Sequence, residues 1–217
     1  CATLWDTTNQ TKIADLCTSP ADRVNAVAFS HDGRVVATGG SSGAIRLWST
    51  SDGRQVGELL GHTGYFMAED HLDFSPDDAW IVSAADNSIR VWDARSSAPA
   101  QGITETNGRR DWTKCLASSP ASDQLAVGIH GVNVFLCSAD SRQGRTPCEP
   151  AIDEALSVSF SADGRVLAAA CGDSTVRLVD TATGREERRL HGHGSHVYSA
   201  EFSQDGSKLV SACSDST

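Results

Sequence analysis

One segment recurs along this 217-residue chain, and a chain assembled from copies of one short unit folds by stacking them. Residues 166–180 read VLAAACGDSTVRLVD. Residues 35–49 (VVATGGSSGAIRLWS) and 124–138 (QLAVGIHGVNVFLCS) match without a gap, and residues 80–93 (WIVSAADNSIRVWD) match with one residue fewer. Residues 208–217 (KLVSACSDST) supply the first part of the unit and residues 1–6 (CATLWD) the last. A second block precedes these copies: VNAVAFSHDGR at 24–34, HLDFSPDDA at 71–79, ALSVSFSADGR at 155–165 and VYSAEFSQDGS at 197–207. Phe29, Phe74, Phe160 and Phe202 mark one position of the unit, with Ser118 in a degenerate copy.

The local chemistry is that of strands. VNAVAF and LSVSF are short runs that alternate or stay apolar. Asp32-Gly33, Asp163-Gly164 and Asp205-Gly206 follow them, and glycine accepts the positive φ of a tight hairpin. The next strands, VATGG and LAAAC, carry small side chains that let neighbouring sheets approach closely. No stretch shows a helical apolar stripe. A period of about 40–45 residues is that of a four-stranded propeller blade. The expected fold is therefore all-β: a β-propeller of four-stranded antiparallel blades, one domain or partial domain over 1–217. The first complete blade places strands near 24–30, 34–40, 44–49 and 54–60. The blades run approximately 24–60, 67–105, 111–149, 155–190, and 197–217 completed by 1–17.

These residues resemble the WD-repeat family of β-transducin-like propellers. Trp5-Asp6 and Trp92-Asp93 give the Trp-Asp pair, with Trp48-Ser49 and Val179-Asp180 as variants. Gly61-His62 and Gly192-His193 give Gly-His, and the Phe-Ser-x-Asp-Gly turn recurs. The resemblance implies a buried polar network of His, Ser or Thr, Asp and Trp in each blade. His62, Ser83, Asp86 and Trp92 match it fully, and His193, Ser211 and Asp215 match in part. Thr38 and Trp48 lack the Gly-His. Asp173 lacks the His, the Trp and the Ser, Ala169 standing in its place. Those blades are expected to rest mostly on apolar packing. The cut ends are complementary, so either residues 1–6 complete the last blade of a five-bladed ring or the chain is an arc of a larger propeller, commonly seven-bladed in the family. The arc is favoured, and a start at Cys1 rather than Met places the native start elsewhere.

Composition narrows the function. The 28 acidic and 18 basic residues give a net charge of −10, which repels a phosphate backbone on average, so nucleic acid is not the expected partner. No apolar run reaches the roughly 18 residues of a membrane span, and no signal peptide is visible. Asn9-Gln10-Thr11 is a glycosylation triplet of the kind that arises by chance. The seven cysteines contain no Cys-x-x-Cys pair and read as buried, reduced thiols of an intracellular, cytoplasmic or nuclear protein. Neither zinc nor a disulfide framework is expected, and Cys171 and Cys213, at one repeat position, read as core fillers. His191, His193 and His196 lie close together, but no cysteine or carboxylate pair stands at ligand spacing.

Chemistry gives way to recognition on the same grounds. His62, Ser83 and Asp86 could form a catalytic set, but the repeat explains them and no Gly-x-Ser-x-Gly elbow is present. No phosphate loop occurs. No catalytic residue, cofactor or metal is expected, and protein or peptide partners are. In a propeller the loop entering each first strand and the turn holding the motif Asp share one face, and the resemblance makes this the contact face. Tyr65 and Phe66 sit in an entry loop with three extra residues, and Arg109, Arg110 and Trp112 in the next. Arg23, Trp112, Glu154 and His196 fall at one repeat position, just before the first strand. The expected function is a non-catalytic scaffold or recognition module. A sensor array of a larger signalling ATPase or kinase is the alternative, and an enzyme on the propeller a remote one.

Overall fold

The structure is a computed structural model that describes residues 1–17, 23–64, 72–85, 88–94, 113–129, 131, 133–138, 146–152 and 154–215. No helix occurs among the described residues. The chain divides into two compact units, Cys1–Glu105 and Thr106–Thr217.

In the first unit β1 (Ala2–Asp6) and β2 (Thr11–Leu16) form a two-stranded sheet. β3 (Val24–Phe29), β4 (Val35–Gly40), β5 (Ile45–Ser49) and β6 (Gln55–Leu59) form a four-stranded one in chain order. β7 (Leu72–Phe74), β8 (Trp80–Ala85) and β9 (Ser88–Asp93) form a third sheet. The second unit holds two four-stranded sheets and a hairpin. They are β10 (Thr113–Ser118), β11 (Gln124–Ile129), β12 (Asn133–Ser138) and β13 (Thr146–Pro147); β14 (Ala155–Phe160), β15 (Val166–Cys171), β16 (Val176–Asp180) and β17 (Glu186–Leu190); and β18 (Val197–Phe202) with β19 (Leu209–Cys213). Every pairing between these strands is antiparallel and joins neighbours in the chain.

The Ser-x-Asp-Gly turn shows why the unit folds locally. Ser30 N donates to Val35 O at 2.9 Å, and its Oγ accepts from Val35 N at 2.9 Å while donating to Asp32 Oδ1 at 2.8 Å. Asp32 in turn accepts from Arg34 N, and Gly33 sits at φ 70°. Ser75 with Asp77, Ser161 with Asp163, and Ser203 with Asp205 repeat the arrangement. In the second copy Asp78 occupies the glycine position at φ 55°, which Asp tolerates better than most residues. Its carboxylate accepts from His31 N and Asp32 N at 2.7 and 2.9 Å, tying this turn to the preceding one.

The same bulge recurs as well. Pairing shifts within two residues of the start of β3, β10, β14 and β18. Burial follows position in the sheet. In β4, β8, β11 and β15 five successive residues are buried, because these inner strands are covered on both faces and alternation is lost. β19 has similar residues but alternates, with Val210 69 % exposed. Ala26, Ile45, Leu59, Phe74, Ile81 and Trp92 share a core in the first unit; Cys115, Leu136, Ile152, Phe160 and Leu167 share one in the second.

The cysteines depart from expectation. Cys115, Cys137, Cys148 and Cys171 are buried thiols. Cys1 and Cys17 instead form a disulfide, because the β1–β2 register pairs their neighbours Ala2 and Leu16 and brings the two Cα atoms to 5.1 Å. Cys213 is half-exposed and so differs from its buried counterpart Cys171.

Candidate functional site

The strand ends are held by a polar lock on β8 and β9. Ser83 is fully buried. Trp92 Nε1 donates to Ser83 Oγ at 2.7 Å, and Ser83 Oγ lies 2.7 Å from His62 Nε2. His62 Nδ1 lies 3.2 Å from Ser88 Oγ, which donates to Ala85 O. One direction satisfies every group: Trp92 N–H to Ser83, Ser83 O–H to His62 Nε2, His62 Nδ1–H to Ser88, Ser88 O–H to the carbonyl. This direction uses the Nδ1–H tautomer of His62. Gly61 is required beside it, since a Cβ there would stand 2.9 Å from Trp92 Cη2. Asp86 lies outside the described residues.

Other sheets carry different polar contacts beside their apolar packing. Trp48 Nε1 donates to Thr38 Oγ1 at 2.8 Å. Buried Asn133 donates to Cys148 O and accepts from Ile152 N and Val134 N. Where Val179 replaces the tryptophan, Arg177 donates to Asp173 Oδ2 at 2.7 Å and to Ala151 O at 3.0 Å, and lies 3.7 Å from Glu186. Glu186 also accepts two bonds from Arg189. The guanidinium thus bridges loop, strand and sheet edge where the usual residues are missing.

The strand-entry positions share one backbone arrangement. Ser41 N donates to Arg23 O at 2.8 Å, Gly172 N to Glu154 O at 2.9 Å, and Ser214 N to His196 O at 3.2 Å. Each carbonyl is fixed by the residue that follows the adjacent inner strand, while the side chains of Arg23, Glu154 and His196 stay exposed. In the first copy a Cβ on Gly40 would come within 2.1 Å of Arg23 O, whereas Cys171 and Cys213 stand at that position in the other two. Glu154 and His196 lie in the second unit and Arg23 in the first. Tyr65, Phe66, Arg109, Arg110 and Trp112 lie outside the described residues.

Two features escaped the sequence. An open cleft of about 440 Å³ lies at the opposite, Ser-x-Asp-Gly end of β10–β17, lined by Ala121, Gln124, Leu136, Thr146, Gly164 and Thr181. Its walls come from turns distant in sequence, so no local motif announces it. The second is on the last hairpin. His193 Nε2 lies 2.8 Å from Ser211 Oγ, and its Nδ1 lies 3.7 Å from Asp215 Oδ1 with Cys213 Sγ beside both. Cys213 stands 20 positions from His193 and reaches it only through the β18–β19 pairing.

Antiparallel four-stranded sheets, repeated with one turn, one bulge and a buried polar lock, define a repeat protein of the propeller-blade type. The family model for "WD domain, G-beta repeat" matches residues 11–49, 53–93, 153–180 and 184–217, more than half of the chain, and the chain belongs to that family. The matched spans pass over β10–β13, where the repeat is most degenerate, although that sheet has the same strand order. The chain is similar to WD repeat and SOCS box-containing protein 1 of Xenopus tropicalis, with 32 % identity over 52 % of this chain and 26 % of that protein. It is 25 % identical to the periodic tryptophan protein 2 homolog of Dictyostelium discoideum over 74 % of this chain and 22 % of the relative. It is 32 % identical to small ribosomal subunit protein RACK1y of Oryza sativa subsp. japonica over 46 % and 28 %. The chain spans about a quarter of the length of these curated relatives.

Proposed function

We propose that the chain is a non-catalytic interaction module, intracellular, that binds a protein or peptide through its strand-entry rim. The observation that carries this reading is the repeated entry position. One hydrogen bond fixes the backbone at Arg23, Glu154 and His196, while the exposed side chains are a cation, an anion and an imidazole. Constant backbone with variable chemistry is what a specific surface needs, and Tyr65, Phe66, Arg109, Arg110 and Trp112, named from the sequence, are of anchoring residue types. A relative whose name places it in the small ribosomal subunit is in keeping with membership of an assembly. The His62–Ser83 pair does not favour catalysis, because Ser83 is fully buried and its hydroxyl is spent on the lock. The net charge of −10 disfavours nucleic acid.

A second reading has its own support. A relative that carries a SOCS box beside its WD repeats shows such repeats attached to another domain. This chain would then be the sensing part of a larger protein, such as a signalling ATPase or kinase, with the rim reading unchanged.

The test uses the chain immobilised against a partner purified by affinity capture. Alanine at Tyr65, Phe66 and Trp112 together is expected to weaken capture more than about tenfold, the loss of one or two hot-spot contacts. Unchanged capture by the triple variant, with unchanged thermal unfolding, removes this surface from the function.

A further inference from the structure

We propose that Cys1 and Cys17 are a reversible thiol–disulfide pair, closed by a small-molecule disulfide such as oxidised glutathione, that fastens the β1–β2 hairpin where the chain runs on toward the strand-entry rim. The two sulfurs are bonded, with the Cα atoms 5.1 Å apart. Cys1 is exposed and Cys17 half-buried, so a thiolate from solvent reaches the pair. Cys115, Cys137, Cys148 and Cys171 are buried. Burial pushes Cys115 and Cys171 up to about 12 and Cys148 up to about 11, which keeps these three as unreactive thiols.

The register of the hairpin does not need the bond. Ala2 faces Leu16, Ile45 faces Leu59 and Val176 faces Leu190. Each pairing then shifts at the same place, between Leu4 and Trp5, Leu47 and Trp48, and Leu178 and Val179. The places of Cys1 and Cys17 are therefore taken by Ala44 and Leu60 in β5–β6 and by Thr175 and His191 in β16–β17, which keep the register without a cross-link. What differs is support. β5–β6 and β16–β17 are the outer strands of four-stranded sheets, whereas among the described residues β1 and β2 pair only with each other. Leu4 and Leu16 pack on Val36 and Trp48, while Trp5 is 58 % exposed. A two-stranded hairpin is marginal by itself. A bond across a sequence separation of 16 favours the closed form by about a hundredfold. With the chain read as intracellular, that bond is a switch, because reducing compartments keep disulfides transient. Cys17 stands six positions before Arg23. An effect on recognition rests on the strand-entry reading; the fastening itself does not.

Closure proceeds by two exchanges. One cysteine thiolate attacks a sulfur of glutathione disulfide, forming a mixed disulfide and releasing one glutathione thiolate. The second cysteine thiolate attacks the protein-bound sulfur of that mixed disulfide, forming Cys1–Cys17 and releasing the other glutathione. The two cysteines lose two electrons and two protons, which the two glutathione thiols carry away; excess glutathione runs the sequence backward.

The test equilibrates the full chain in glutathione buffers stepped from fully reduced to fully oxidised, traps the thiols by alkylation and reads the peptides by mass spectrometry. The expected result is one protein disulfide per chain, Cys1–Cys17, with its midpoint inside the range that cytosolic glutathione holds. Amide hydrogen exchange on the same samples should slow by more than about tenfold in β1 and β2 on oxidation, with β4 and β5 unchanged. The double variant Cys1→Ala with Cys17→Leu carries the pair found in β5–β6, so it is expected to fold, and its exchange should ignore the buffer. Cys17→Ser is the second variant, and circular dichroism checks both. A pair that stays closed throughout the cytosolic range is a permanent staple and overturns the proposal. So does a pair that stays open in fully oxidised glutathione, or equal exchange in the two redox states. Both readouts use the chain alone, so they stand apart from whether the rim captures a partner.

Discussion

Single side chains carry more of this fold than its apolar composition implies. Ser83 is the hub of a buried chain of hydrogen bonds, and removing its hydroxyl orphans Trp92 Nε1 and His62 Nε2 together. Ser83→Ala is expected to cost about 2–3 kcal/mol, because buried unsatisfied groups forfeit their solvation. In a Trp92→Phe background the same change should cost about 1 kcal/mol less, since one orphan is already gone. Urea unfolding of the double-mutant cycle measures this, and strict additivity would contradict the lock. The turn aspartates make a second prediction. Hydrogen bonds from Ser203 and from the Ser207 backbone bring Asp205 down to about 2. Ser161 and the Arg165 backbone lower Asp163, and the Arg34 backbone and Ser30 lower Asp32. A lowered carboxyl binds fewer protons folded than unfolded, so its stabilisation is full above its ordinary value and disappears as pH falls through the folded value. Urea midpoints should therefore fall between about pH 4 and pH 2, and Asp205→Asn should flatten the slope. Sequence reading reached these turns because Ser, Asp and Gly act within six residues. It missed the Cys1–Cys17 pair and Cys213 beside His193, because both depend on strand register that residue types do not reveal.

At the scale of an element, the sheets are interchangeable in backbone and different in their fastenings. The strand periods and Asp-Gly turns were legible because each strand's pattern is set by its place in the sheet. Blades without Gly-His keep the apolar packing expected of them and add polar fastenings that the motif does not name. Strand ends present polar backbone groups that must be paired somehow, and Asn133 and Arg177 pair them with side chains the family pattern does not specify. In β14–β17 the Arg177 guanidinium joins Asp173, Glu186 and the Ala151 carbonyl. Arg177→Ala should destabilise by about 1–2 kcal/mol, since it removes the donor to Ala151 O and Asp173 and leaves an unfilled space, while Glu186 keeps Arg189. Arg177→Met, which keeps the stem, should lose less. Equal stability of wild type and Arg177→Ala in thermal unfolding would show that apolar packing suffices there.

For the whole molecule, repetition decides what kind of function is available. Copies of one sheet build a constant frame, and selection for a partner can then act on exposed positions whose backbone is already fixed. The family was legible from five registered copies of a motif, none specific alone. The sequence sets Arg23, Glu154 and His196 at one repeat position and says nothing of a surface, because what joins loops distant in sequence is tertiary. The most direct measurement places a photo-crosslinking amino acid singly at 66, 112, 154 and 196, and for comparison at 123 and 182 on the turn end, and maps adducts to a bound partner by mass spectrometry. The expected result is adducts at the first four positions and none at the last two. Adducts confined to the turn end, beside the cleft at Gln124 and Thr181, would contradict recognition through the strand-entry rim.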